Sequence, residues 1–253
     1  MRVFRAAMAL FEVSFRRLLW STSTLMVGIP ILLGVIFLLQ RRYIQSTNPA
    51  AVVVEFSDFL LFFVSFFVPI CALAYGTATV GGDREDRTLL FLLVRPTPRW
   101  VILLAKYAAT LPLVLGIVMG SLYLLCRMAG AAGGVAFAIY ETPVFYAALA
   151  YTSLFTLFAV SFRHATILSL VYALFIELVL GNMPGIVKQI AINYYARSMI
   201  FAAGAIEGLN PPDARWFVPV TWPAGAAILL GISGVSLGLA MLVFSTREYR
   251  DLS

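Results

Sequence analysis

Long apolar runs separated by short polar stretches set the pattern of this chain. A helix that crosses the hydrocarbon core of a bilayer, which is roughly 30 Å thick, needs roughly 20 mostly apolar residues. Six runs meet or approach that length, and we predict a membrane-spanning helix in each: 23–39, 59–80, 101–126, 143–162, 166–181 and 222–244. Proline inside these runs is compatible with spanning helices because neighbouring helices can satisfy the backbone groups that it frees.

Residues 1–22 follow a different period. Charged residues, with Ala9 between them, recur at alternating steps of three and four, which places them on one helical face: Arg2, Arg5, Glu12 and Arg16. Apolar residues fall largely on the opposite face: Phe4, Met8, Phe11, Phe15 and Leu18. This pattern predicts an amphipathic helix in the headgroup layer of the cytoplasmic surface. The alternative is a simple charged flank for the first span.

The composition agrees with a chain that has the bilayer as its main solvent. Hydrophobic residues make up 62% of the 253 residues and charged residues 12%. A soluble domain is about 45–50% apolar and about 25% charged. The spans and their connections use nearly all of the sequence, so we predict one all-α transmembrane domain over residues 1–253, without a soluble catalytic domain.

The distribution of Lys and Arg predicts the orientation. If the N-terminus is cytoplasmic, twelve of the 18 Lys and Arg residues fall on the cytoplasmic side and the other six on the outer side. This bias fits the positive-inside rule, and six spans return the C-terminus to the cytoplasm. Because basic flanks of spans account for the net charge of +6, we expect no nucleic-acid partner.

The longest connection, residues 182–221, contains a second apolar segment at 186–206 that is interrupted by Lys188, Asn193 and Arg197. A charged side chain at the middle of the bilayer costs about 2.5–3.5 kcal/mol even on lenient insertion scales. The segment is therefore predicted to be an interfacial or re-entrant helix on the outer face instead of a seventh span.

Residue types that support catalysis or nucleotide binding are scarce. His164 is the only histidine, so a histidine-based zinc site cannot form within one chain. A Walker A loop needs a lysine directly after its last glycine, whereas Lys106 follows Ala105 and Lys188 follows Val187. We expect no enzymatic activity, metal or cofactor in this chain, and any ATP-driven work must be done by a partner.

Glu177 is the one carboxylate within a predicted span. An ionisable residue inside the membrane is a candidate functional site by default, because it must find a partner or water. A place on a transport path is one interpretation. The other is a side chain near the outer end of a short helix that reaches the interface.

The connection at residues 81–100 has an internal order that an ordinary charged turn does not need. Acidic residues Asp83, Glu85 and Asp86 precede a short apolar run, Thr88 to Val94, that Pro96 and Pro98 stop. Acids suit the positive end of a helix dipole, so we predict a short cytoplasmic helix that begins near them. A short amphipathic helix of this kind is a docking element for another protein.

These residues resemble the membrane subunit of type-2 ABC transporters. The family's pattern is an acidic pair, Gly-Thr-Leu, an apolar stretch, Pro-x-x-Arg and a lysine that enters the third span. The matching residues here are Asp83, Glu85, Thr88, Leu89, Pro96, Arg99 and Lys106, and Arg87 stands where the family usually has glycine. The basic N-terminal helix, the six spans and the basic tail at 246–250 are similar to the family's plan.

The resemblance implies a homodimer or pseudo-dimer of permeases in the bacterial inner membrane, with two cytoplasmic ATPase subunits that bind ATP and Mg²⁺. Segment 83–93 would be the coupling helix, the N-terminal helix would run beside it, and a substrate would be exported through the permease interface. The expected coupling residues are Asp83, Glu85, Asp86, Thr88, Leu89, Leu90, Leu93, Pro96 and Arg99. An alternative is a non-transporting subunit that acts on an extracytoplasmic partner, and an intramembrane enzyme is less favoured.

Overall fold

The computed structural model describes residues 2–21, 24, 28, 32, 34, 49–85, 98–183, 185–213 and 217–246, and this part of the chain contains helices and no strands. The α-helices are α1 Arg2–Leu19, α2 Pro49–Phe62, α3 Val68–Glu85, α4 Arg99–Met128, α5 Ala131–Ser161, α6 Ala165–Val171, α7 Ile192–Gly204 and α8 Trp222–Thr246. Two π-helical segments, Phe63–Phe67 and Tyr172–Val179, continue α2 into α3 and extend α6. Short 3₁₀ turns are Leu180–Asn182, Val187–Ile190 and Ala205–Glu207.

Five helical stretches are long and apolar enough to cross a membrane: Phe56–Asp83, Arg99–Met128, Gly133–Ser161, Ala165–Asn182 and Trp222–Thr246. They coincide with the second to sixth predicted spans, which are thereby confirmed as apolar helices. The first predicted span, 23–39, lies outside the described residues except for four helical positions: Thr24, Gly28, Leu32 and Gly34. The count of six spans therefore stays a prediction.

The fourth predicted span begins earlier than the sequence pattern indicated. We expected it at 143–162, yet α5 begins at Ala131 and carries Pro143 inside the helix. The small and apolar residues before Pro143 are compatible with helix, and buried prolines are tolerated where neighbouring helices satisfy the backbone. The connection from α4 is only Ala129 and Gly130, and Gly130 has a φ of 73° that glycine adopts without strain.

Helix α5 lies at the centre and contacts α3, α4, α6, α7 and α8. Its largest fully buried side chains are Tyr140, Tyr151 and Phe155. At Gly76 in α3, an added Cβ would lie 2.9 Å from the Cβ of Phe155. The absence of a side chain at Gly76 therefore lets α3 pack closely against α5.

One end of the bundle is closed by α1, and we call it the α1 end. Leu10 of α1 is buried in a cluster with residues from α3, α4, α5, α6 and α8: Val80, Ile102, Leu103, Ala105, Ala159, Val160, Ala165, Ala240 and Phe244. The predicted N-terminal helix is thus observed as α1, and part of its apolar face packs on the protein. Its placement at a membrane surface stays a prediction.

The opposite end, which we call the α7 end, contains the segment predicted at 186–206. It forms the 3₁₀ turn Val187–Ile190 and the 13-residue helix α7. Helix α7 is not among the helices long enough to cross a membrane, and it is buried against α5 and α8. The segment is thus not among the candidate spans of the described residues, and its placement as an interfacial or re-entrant helix on the outer face stays a prediction.

Candidate functional site

A charged cluster at the α1 end joins three helices through Arg17, Asp83 and Lys106. Arg17 lies in the last turn of α1 and Asp83 in the last turn of α3. Lys106 lies two turns after the start of α4. The Arg17 Nη1 donates to Asp83 Oδ1 at 2.6 Å, and Lys106 Nζ forms an ion pair with Asp83 Oδ2. One carboxylate therefore binds cations from two other helices.

The charged cluster is largely buried, so its ion pairs are costly to break and hold the helix ends together. The side chains of Asp83 and Lys106 are 7% and 6% exposed, whereas that of Arg17 is 43% exposed. Lys106 Nζ also donates to the carbonyl oxygen of Thr79 at 3.2 Å. Removal of one partner from a buried pair leaves an uncompensated charge, at a cost of about 3–5 kcal/mol. The ends of α3 and α4 are thereby held together.

Gly82 leaves space for the Arg17 side chain, and nearby threonine hydroxyls bond to the backbone of their own helices. An added Cβ at Gly82 would lie 3.0 Å from Arg17 Nη2, so glycine lets the guanidinium cross α3 closely. The Thr110 hydroxyl donates to the carbonyl oxygen of Lys106 at 3.0 Å, and the Thr79 hydroxyl donates to that of Gly76. Local bonds of this kind satisfy hydroxyls within a helix.

The charged cluster forms one wall of a cavity of about 470 Å³ between α1, α3 and α4. The cavity is lined by charged, hydroxyl and apolar groups: Ser14, Arg17, Leu18, Trp20, Ser21, Ala78, Thr79, Gly82, Asp83, Lys106 and Thr110. Liquid water occupies about 30 Å³ per molecule, so the cavity is large enough for a polar organic group.

The position of Asp83 differs from the expectation that it begins a separate surface helix. It lies instead near the C-terminal end of α3, which ends at Glu85. A carboxylate is unfavourable at that end of a helix dipole, and the cations Arg17 and Lys106 offset this. The sequence marked Lys106 only as a basic residue that enters a span, because no local spacing relates Lys106 to Asp83 or Arg17.

Of the other predicted coupling residues, two lie at helix ends within the described residues. Glu85 is the last residue of α3 and Arg99 the first of α4. The remaining six lie outside the described residues: Asp86, Thr88, Leu89, Leu90, Leu93 and Pro96. Their role in coupling stays a prediction.

Glu177 lies in the π-helical segment Tyr172–Val179 and is fully buried. Its Oε1 accepts the backbone N–H of Ile192 at 3.0 Å and its Oε2 that of Asn193 at 2.9 Å. These are the first two residues of α7, whose N-terminal N–H groups have no partner within the helix. Glu177 therefore caps α7 with its carboxylate buried in the protein, and neither of our two interpretations, a transport path or the outer interface, is decided by this contact.

A second link at the α7 end uses cations and aromatic rings. Lys188 Nζ lies 5.3 Å and Arg197 Cζ 5.4 Å from the ring centroid of Phe217, distances at which cations are attracted to the ring. Burial lowers the pKa of Arg197 below its ordinary value. The Tyr194 hydroxyl donates to the carbonyl oxygen of Val218 at 2.6 Å. These contacts fasten the segment before α8 to α7.

The described residues contain no group of three or more His, Cys, Asp or Glu side chains placed to hold a metal ion.

The fold and this geometry define an all-helical, multi-pass membrane protein whose buried charges join its helices. Residues 16–249 match the family described as ABC-2 family transporter protein, and the chain belongs to that family. It is thus the permease subunit of an ABC transporter, a class that works with an ABC ATPase subunit. Comparison with curated proteins finds no match.

Proposed function

We propose that this permease exports a substrate across the cytoplasmic membrane, energised by a separate ATPase that docks on segment 83–93. The ATPase subunit binds ATP and Mg²⁺, and the permease itself carries out no hydrolysis. Two copies of the permease, or one copy and a related chain, form the transport path at their interface.

The observation that carries the proposal is the charged cluster of Arg17, Asp83 and Lys106. Helix α3 ends at Glu85 and α4 begins at Arg99, so both helices border the proposed docking segment. Because Asp83 binds cations from α1 and α4, a force applied to that segment reaches three helices together. Switching between discrete arrangements needs rigid links of this kind.

The exposed faces of two spans offer surfaces on which a second permease can pack. The spans Ala165–Asn182 and Trp222–Thr246 are the least buried of the five. Their exposed large apolar residues include Ile167, Phe175, Val235 and Leu242. In a bilayer such faces contact lipid or another helix, and packing with a second permease is the arrangement that the proposal requires.

Co-purification tests the docking segment. The permease would be tagged and co-expressed with its cognate ABC ATPase subunit, and the bound ATPase would be quantified. We expect the double variant Glu85→Arg/Leu89→Asp to lose the ATPase by about tenfold or more, because like charges at an interface cost several kcal/mol and each 1.4 kcal/mol is a factor of ten. Membrane insertion should be unchanged.

A matched control carries the same kinds of substitution at the α7 end. Ile206 is 95% exposed and Glu207 is exposed, so Ile206→Asp/Glu207→Arg adds the same charges on the opposite side. This control should retain the ATPase. Equal amounts of ATPase on the two double variants would contradict docking at segment 83–93.

A further inference from the structure

The cavity at the α1 end has walls of mixed charge that the coupling role does not require. Among the described residues, the cations Arg17 and Lys106 and the carboxylate of Asp83 line it together with several hydroxyl groups. The Ser21 Oγ is buried and has no hydrogen-bond partner among the described residues. A buried polar atom of this kind calls for a partner, and Ser21 itself lies at the wall of the cavity.

The cavity lies at the ends of two spans, at the level where lipid headgroups are expected. Asp83 is the last residue of the span Phe56–Asp83, and Lys106 lies in the first turns of the span Arg99–Met128. Trp20, at the cavity wall, is 91% exposed, and tryptophan is enriched at the membrane–water interface. A group that enters the cavity beside Trp20 therefore comes from the headgroup layer.

The charges select among headgroups. A phosphate alone would be attracted by Arg17 and Lys106 but repelled by Asp83. An ammonium alone would be attracted by Asp83 but repelled by the two cations. A headgroup that carries both a phosphodiester and a primary ammonium matches both signs. Asp83 already forms ion pairs with Arg17 and Lys106, so a bound headgroup would share these charges with the existing pairs.

We propose that the cavity lined by Ser14, Arg17, Ser21, Asp83 and Lys106 binds the headgroup of a phospholipid with a primary amine, such as phosphatidylethanolamine. The phosphodiester lies against Arg17 and the serine hydroxyls, and the ammonium donates to Asp83. The lipid then bridges α1 to α3 and α4. This inference uses the charged cluster but does not rest on the coupling role, because lipid binding needs no ATPase.

The test uses the full-length chain, purified in detergent and stripped of lipid. Phosphatidylethanolamine, phosphatidylcholine and phosphatidylglycerol with identical acyl chains would be titrated separately, and bound lipid counted by native mass spectrometry. Choline has no N–H to donate to Asp83, and phosphatidylglycerol has no cation. We expect phosphatidylethanolamine to bind about tenfold more tightly than either, since a hydrogen bond to a charged group is worth about that factor.

Two variants fill the cavity and one matched variant does not. Ser21→Leu and Ser14→Leu place an apolar side chain in the cavity from two positions, so the test does not depend on the folding of a single variant. Ser245, at the same end of the bundle, is exposed and bonds the carbonyl oxygen of Met241. Ser245→Leu should keep the preference for phosphatidylethanolamine, and the two cavity variants should lose it.

The outcomes separate the possible sources of the ligand. Equal binding of the three lipids would overturn the proposal, as would an undiminished preference in both cavity variants or a loss of the preference in Ser245→Leu. Soluble phosphoethanolamine is a further arm. If it displaced phosphatidylethanolamine at comparable concentrations, the site would serve a soluble ligand, and the lipid assignment would be wrong.

Discussion

Glu177 and Asp83 show two ways in which this chain keeps a carboxylate inside a helical membrane domain. Asp83 is neutralised by cations from two other helices, whereas Glu177 receives two backbone N–H groups at the start of α7. A buried polar group without such partners costs several kcal/mol. Each carboxylate therefore determines the position of a neighbouring element.

The capping role of Glu177 predicts a specific loss of stability. Glu177→Ala leaves the N–H groups of Ile192 and Asn193 buried without acceptors, which should cost about 1–3 kcal/mol. Glu177→Gln keeps one acceptor oxygen and should lose less. The measurement is the midpoint of thermal unfolding in detergent. Glu207→Ala, which removes an exposed acid at the same end, is the control and should leave the midpoint unchanged.

If Glu177→Ala matched this control, the bonds from Ile192 and Asn193 to Glu177 would not stabilise the fold.

The sequence identified the candidate charges but not their partners. Asp83 stood out in the acidic stretch of the connection at 81–100, and Glu177 stood out as the one carboxylate within a predicted span. The cation on Asp83 from α1, however, is 66 residues away in sequence, and no local spacing encodes a contact of that range. The N–H groups that Glu177 caps carry no side-chain signal at all. Partners of this kind follow only from the packing of the helices.

At the scale of elements, the apolar runs predicted the second to sixth spans because a bilayer demands long helices without charge. Their ends were less predictable, as the early start of α5 at Ala131 shows. The spacing of charges in α1 predicted an amphipathic helix; Leu18 of its predicted apolar face is buried, whereas Met8 of the same face is 57% exposed. The distances between helices depend on single small residues, whose effect a sequence pattern does not reveal.

Gly76 sets the approach of α3 to α5, and its substitution tests that contact. The Cβ of Gly76→Ala would lie 2.9 Å from the Cβ of Phe155, so the helices must separate, and we expect a destabilisation of about 1–3 kcal/mol. Gly81→Ala, in the same helix, meets open space. It should be neutral or stabilise by up to about 1 kcal/mol, because alanine favours helix over glycine. Thermal unfolding in detergent measures both.

An equal response of the two alanine variants would mean that α3 and α5 are not in close contact at Gly76.

At the scale of the whole molecule, different polar links operate at the two ends and in the middle of the bundle. The charged cluster holds α1, α3 and α4 together at the α1 end. At the α7 end, α7 is held by Glu177 and by the contacts of Lys188 and Arg197 with the ring of Phe217. Between them, hydrogen bonds link the hydroxyls of Tyr107, Ser153 and Ser233, which lie on α4, α5 and α8. These bonds connect α4, α5 and α8.

The two ends must face opposite sides of the membrane if the proposed mechanism holds. An ATPase can dock only at the cytoplasmic end, so the turn at His164 between α5 and α6 should be cytoplasmic and the segment at Ile206 external. Both residues are exposed. The native cysteines Cys71 and Cys126 are buried, so the wild type should react little with a membrane-impermeant maleimide and can serve as the background.

In spheroplasts, the maleimide should label Ile206→Cys at once and His164→Cys only after the membrane is permeabilised. The reverse result would place the α1 end outside, where no ATP is available, and would contradict docking on segment 83–93 whatever the family. Labelling of both variants from one side would contradict the arrangement of the two ends itself. Because positive charge favours the cytoplasmic side, the basic residues of α1 and of the connection at 81–100 support the first outcome.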